Sequence, residues 1–249
     1  MRFGICNLSI VPIRSESSDK SEQISQIIYG EVFSILEEKT KWSKIKLSFD
    51  NYTGWIDNKQ FVEISKEQFN SLTSETPIYS YDLVQFVENL NHELIAIPIG
   101  STLNGLKILK HKYDGDTISG DQVKSNIISI AMRFLNSPYL WGGRSPFGID
   151  CSGFVQMVYK LNGYRLDRDS HQQSNLGSAL SFIEESEPGD LAFFDNDEGK
   201  IIHVGIIMEN NKIIHASGKV RIDGIDQSGI YNKETKSHTH KLRVIKKII

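Results

Sequence analysis

One cysteine and two histidines have the types and the setting for nucleophilic catalysis. Cys151 ends the approach Pro138-Tyr139-Leu140-Trp141-Gly142-Gly143-Arg144-Ser145-Pro146-Phe147-Gly148-Ile149-Asp150. Its prolines and glycines break regular structure and let backbone pass close to a bulky group. After Asp150 the pattern changes. Cys151, Phe154, Val155 and Val158 stand at i, i+3, i+4 and i+7, one face of a helix. Asp150 is placed to be its N-cap, with Cys151 in the first turn. Unpaired N–H groups and the positive end of the helix dipole favour thiolate there. A glycine-rich loop that delivers a cysteine to a helix start predicts an activated nucleophile.

Such a nucleophile needs a base. KIIHVGIIM (200–208) and KIIHAS (212–217) are apolar, β-branched runs separated by Glu209-Asn210-Asn211, a strand–turn–strand signal. Side chains alternate along strands, so His203, Gly205 and Ile207 share one face, as do Ile213, His215 and Ser217. The histidines point the same way only if the connection holds an odd number of residues or a bulge. A three-residue loop sets Gly205 opposite His215 and makes the histidines diagonal neighbours, close enough for one ring to orient the other. A two-residue loop would turn them to opposite sides.

YLWGG, S and FG, then DCSGF, PGDL, HVGI and IIHAS in that order resemble the NlpC-type cysteine peptidases, bacterial cell-wall γ-D-glutamyl endopeptidases. The likeness runs from about Gln122 to the end. In architecture the chain resembles the dipeptidyl-peptidase VI type, which carries small β-barrels before the peptidase. The expected fold is therefore multidomain: two small all-β SH3-like barrels, at 1–65 and 66–120, followed by an α+β papain-like cysteine peptidase domain at 121–249. The resemblance implies Cys151 as nucleophile, His203 as base, His215 as the residue that orients it, and the Tyr139 hydroxyl in the oxyanion site. It assigns Trp141, Asp150, Ser152, Asp169 and Ser170 to substrate contacts, although capping explains Asp150 equally well. Glu22, with Glu16 as fallback, and Tyr52 are the candidates for holding the free amine of an N-terminal L-alanine. The implied reaction is hydrolysis of the γ-D-glutamyl–diamino acid bond in murein stem peptides. A metal-free site without cofactor is expected, because the resemblance is to metal-free enzymes and the spacing of Cys151, His203 and His215 matches no structural zinc pattern.

The elements that must position these groups are legible in outline. Ile24 to Tyr29, Val32 to Leu36, Trp42 to Leu47 and Gly54 to Ile56 are short strands between polar turns, a pattern for a small barrel. Ser65 to Ser74 reads as a linker helix. A second β-rich stretch from Pro77 to about Ile118 follows, and the peptidase region opens on a helix through Ile127, Ala131 and Leu135 that Pro138 ends. Helix first and sheet after is an α+β order.

Composition narrows the rest. In 249 residues, 28 Lys and Arg oppose 31 Asp and Glu, a net charge of −3, so nothing points to nucleic acid or an anionic membrane. No apolar run approaches the ~18 residues of a membrane span, and the N-terminus does not read as a secretory leader. A cytoplasmic monomer acting on murein stem peptides is expected; a leader removed earlier would make it exported. Cys6 reads as a buried hydrophobe. His92, His111, His171, His238 and His240 read as surface or turn residues. Two other functions stay open: a hydrolase of intact wall with its barrels as anchors, and a non-catalytic wall-binding protein.

Overall fold

A computed structural model of the chain describes residues 1–119 and 123–249; the boundary expected at 120/121, and Gln122 where the family likeness begins, lie outside them. The chain divides into two compact units. The first holds the residues before position 120 together with Trp141–Pro146; the second continues to Leu140 and resumes with Phe147–Ile249.

In the first unit, β1 (Arg2–Ile5), β2 (Ile10–Arg14), β3 (Gln23–Ile28), β4 (Val32–Glu38), β5 (Trp42–Leu47), β6 (Thr53–Asp57) and β7 (Val62–Ile64) form one antiparallel sheet, in the order β3-β2-β6-β5-β4-β1-β7. The sheet wraps a core of Cys6, Val11, Ile13, Ile27, Phe33, Ile45, Leu47 and Ile56. Alternation of buried with half-buried or exposed side chains, clear in β2 and β5, is what a one-sided sheet requires. Helix α1 (Lys66–Ser74) starts at Ser65, whose hydroxyl accepts from the Gln68 N–H while Gln68 returns a bond to the Ser65 N–H. Phe69 and Leu72 of α1 pack on Phe3, Ile5 and Ile64.

The rest of this unit is less regular. β8 (Ile78–Ser80), β9 (Val84–Glu88), β10 (Leu94–Pro98), the one-turn helix α2 (Leu106–Leu109) and β11 (Thr117–Ser119) make two separate two-stranded ladders, β9 with β10 and β8 with β11. Val87, Ile97 and Leu103 bury against Tyr29, whose hydroxyl meets His111 Nδ1 at 2.8 Å. His111, expected at the surface, is a partner of a buried tyrosine.

The second unit opens with α3 (Asn126–Arg133), which buries Ile127, Ile130 and Ala131. The two-residue strand β12 (Arg144–Ser145) lies in the segment that belongs to the first unit, and β13 (Gly148–Ile149) leads into α4 (Cys151–Leu161). The one-turn α5 (Ser170–Gln173) and the short strand β14 (Ser178–Leu180) come next. The remaining strands are β15 (Leu191–Asp195), β16 (Ile201–Met208), β17 (Lys212–Ser217), β18 (Lys219–Asp226), β19 (Gly229–Asn232) and β20 (Ser237–Lys247). They run in the order β15-β16-β17-β18-β19. The long β20 pairs with both β15 and β19, so six strands close into a barrel, with β14 on its outer edge at β20. Register shifts in both β20 ladders supply the bends such closure needs. Ala192, Phe194, Ile207, Ile213, Ile225, Ile230 and Ile245 form its core, while α4 packs on β16 and β17. Among the described residues, no helix is long and apolar enough to cross a membrane.

Candidate active site

Asp150 caps α4, its Oδ1 accepting from the Gly153 N–H at 2.7 Å, and Cys151 is the first helical residue. The approach is pinned on both sides: the Ile149 N–H donates to Pro138 O, and the Tyr139 N–H to Gly218 O at the β17–β18 turn. The thiol is 7% exposed and lies close to the backbone of Val204, next to His203 on β16. Burial and the Asp150 carboxylate push the thiol up to about 12, against backbone hydrogen bonds at Val204 and Ser152 that favour thiolate. The helix start does favour the anion, but desolvation outweighs it.

The histidine hairpin has the register that a three-residue loop demands. Met208 pairs with Lys212 and Gly205 with His215, with Asn210 and Asn211 both at left-handed φ, 60° and 53°. His203 Nε2 lies 2.8 Å from His215 Nδ1. A Cβ on Gly205 would stand 2.9 Å from the Cβ of His215, so glycine is what allows the two strands to hold this pair. Burial first, then the neighbouring His215 and His240, depress His203 well below the ordinary histidine range. This favours the neutral imidazole.

Three groups around the histidines were not foreseen. His215 Nε2 meets Asp223 Oδ2 at 3.0 Å, and Arg221 clamps that carboxylate through Nε at 2.6 Å and Nη2 at 3.0 Å. His240, expected at the surface, instead stacks on His203 with ring centroids 4.2 Å apart and planes 26° apart. Closure of the barrel through β20 brings it there. Arg221 and Asp223 carry a sequence signal in hindsight. The turn at Gly218 pairs Ser217 with Lys219 and so sets His215 opposite Arg221; counting outward from that glycine puts Asp223 on the same face. His240 depends on a ladder between strands far apart in sequence and has no local signal.

The substrate-contact candidates divide. Asp150 and Ser152 are 5% and 7% exposed and engaged by Arg168, which donates to both Asp150 oxygens at 3.0 and 2.7 Å and to Ser152 Oγ at 2.9 Å. Asp169 closes a capping box with Gln172 at the start of α5, and Ser170 is the first residue of that turn, which lies against β16 and α4. Tyr139 is 36% exposed. Burial, then the neighbouring Cys151 and Asp150, raise its phenol to about 12, which keeps it a donor at neutral pH. In the first unit, the exposed Trp141 donates from Nε1 to Glu22 Oε1 at 2.6 Å. Tyr52 packs, half-buried, against the core of the β1–β7 sheet. Cys6 lies in that core, and both cysteines are free thiols.

Residues 136–244 match the NlpC/P60 family, and residues 13–61 match the bacterial dipeptidyl-peptidase Sh3 domain. The chain carries an NlpC/P60 cysteine peptidase domain. It is 27% identical over 256 residues to the gamma-D-glutamyl-L-lysine dipeptidyl-peptidase of Bacillus subtilis, a match covering 94% of this chain and 82% of that one. Over 104 residues it is 41% identical to the probable endopeptidase p60 of Listeria seeligeri, across 41% of this chain and 20% of that protein. Its fold is similar to that of an NlpC/P60 family protein from Bacillus cereus, with a TM-score of 0.79, 18% identity and 99% of each chain covered.

Proposed function

We propose that this NlpC/P60 peptidase hydrolyses the amide bond between γ-D-glutamate and the diamino acid of murein stem peptides that have a free N-terminal L-alanine. The observation that carries the reading is the hydrogen-bonded run His203–His215–Asp223 on strands beside the cysteine-bearing helix, with the relatives' names supplying the substrate class. Helix α4 against the β16–β17 sheet is, in this reading, the papain-like arrangement. Residues 66–119 are a degenerate SH3-like barrel reduced to two short ladders.

The chemistry follows from the protonation states. A neutral Cys151 thiol passes its proton to His203 as sulfur attacks the amide carbon. The oxyanion is met by the backbone N–H of Cys151 and the Tyr139 hydroxyl. His203 returns the proton to the departing amine, leaving an acyl-thioester on Cys151. Water, deprotonated by the same imidazole, cleaves the thioester and restores the thiol. An ammonium group needs an anionic partner and an aromatic face; Glu22 with Trp141, and Tyr52, supply those types. An enzyme that requires a free amine trims released peptides rather than intact wall, which suits a recycling role in the cytoplasm.

The test compares L-Ala-γ-D-Glu-L-Lys, its diaminopimelate counterpart and the N-acetylated forms, with Cys151→Ala as control and mass spectrometry as readout. Cysteine-dependent cleavage of the free tripeptides alone is expected. Equal cleavage of the acetylated forms would discard the amine role of Glu22 and Tyr52 and favour a hydrolase of intact wall. No cleavage of any would leave a wall-binding protein.

A further inference from the structure

Two histidines joined by one hydrogen bond can share their protons in two ways, and only one gives a base. A carboxylate can only accept, so the 3.0 Å contact with Asp223 puts a proton on His215 Nε2. A neutral His215 then presents a lone pair at Nδ1, and the 2.8 Å contact puts the next proton on His203 Nε2. The lone pair of His203 is thereby left on Nδ1, the nitrogen that must be bare if the ring is to take the Cys151 proton. Reversed, His215 donates from Nδ1 to His203 Nε2, and His203 holds a proton where it should accept one.

A doubly protonated His215 would give the same wrong arrangement, and Asp223 alone would encourage it. Arg221 opposes that outcome. Its guanidinium donates to both oxygens of Asp223, and its fixed charge disfavours a second cation on the same carboxylate. His240, stacked on His203, hinders the ring rotation that would exchange Nδ1 for carbon.

We propose that Asp223, held by Arg221, is a positioning residue that sets the tautomer of His215 and, through it, of His203. This rests on the assignment of His203 as the base. Long-range proton–nitrogen NMR spectra of the full chain labelled with 15N-histidine test it, with His203→Gln and His215→Gln used to assign the signals. In the wild-type protein both rings are expected as Nε2–H tautomers. Asp223→Leu removes every acceptor and should leave His203 in mixed tautomers, with kcat down roughly 100-fold, the low end of what a general base contributes, and KM little changed. A proton on Nδ1 of His203 in the wild-type protein overturns the proposal, and that spectrum needs no variant to fold. So does an Asp223→Leu protein with unchanged tautomers and rate. Nε2–H tautomers in a protein that cleaves none of the stem peptides would support Asp223's role while refuting the substrate assignment.

Discussion

With burial and Asp150 pushing its thiol up to about 12, and His203 held well below the ordinary histidine range, the Cys151–His203 pair is neutral at rest. Alkylation of Cys151 by iodoacetamide should therefore be slow at pH 7 and rise steadily toward pH 11; a plateau near neutrality would show a preformed thiolate. The same groups shape stability. His203, and His240 lowered to about 4 by burial and then by His215, bind fewer protons folded than unfolded once the pH drops below about 6.5. Stability present above that pH is lost as it falls. Cys6 and Cys151, both raised to about 12, chiefly by burial, stay protonated in the folded state while the unfolded thiols ionise near 9, so stability also falls as pH rises from 9 to 12. The Tm should peak between these windows, and Cys151→Ala should flatten part of the alkaline limb. A Tm that climbs from pH 6.5 to pH 5 would contradict the burial of neutral histidines.

Helix α4 and the β16–β17 hairpin carry most of the site, and both were readable locally. Asp150 before an apolar helical face gave the cap, and the parity of Glu209-Asn210-Asn211 gave the histidines a common face. Arg168 and His240 were not readable in this way, and Asp223 only by counting outward from the turn at Gly218. Both Arg168 and His240 act across the fold: Arg168 from the chain that returns to the α4 N-terminus, His240 from the strand that closes the barrel. Type and spacing predict what stays within one element or one tight turn, and barrel closure is neither. Two substitutions test these elements. Gly205→Ala drives a methyl into the His215 Cβ, and should cut kcat at least tenfold while the far-ultraviolet circular dichroism stays unchanged. Arg168→Met leaves Asp150 buried without its cation and should cost about 3–5 kcal/mol in urea unfolding. Unchanged stability would mean that Asp150 finds water or changes protonation.

In the molecule as a whole, the six residues Trp141–Pro146 belong to the first unit although both of their sequence neighbours belong to the second. Arg144 shows how firmly: it is fully buried, donates to both Glu31 oxygens at 2.9 and 3.0 Å and to Gln26 O at 2.7 Å, and its N–H is taken by Gln26 Oε1. Arg144→Met should destabilise the first unit by a similar few kcal/mol, because it strands a buried Glu31; an unchanged denaturant midpoint for that unit would contradict this. The consequence concerns modularity. A linear cut near position 120 yields a peptidase fragment whose segment before Cys151 still contains a guanidinium built for a carboxylate, Glu31, that has been left behind. The first unit is therefore not a cassette in sequence: any replacement of its barrel has to bring a matching hexapeptide into the middle of the second unit's sequence.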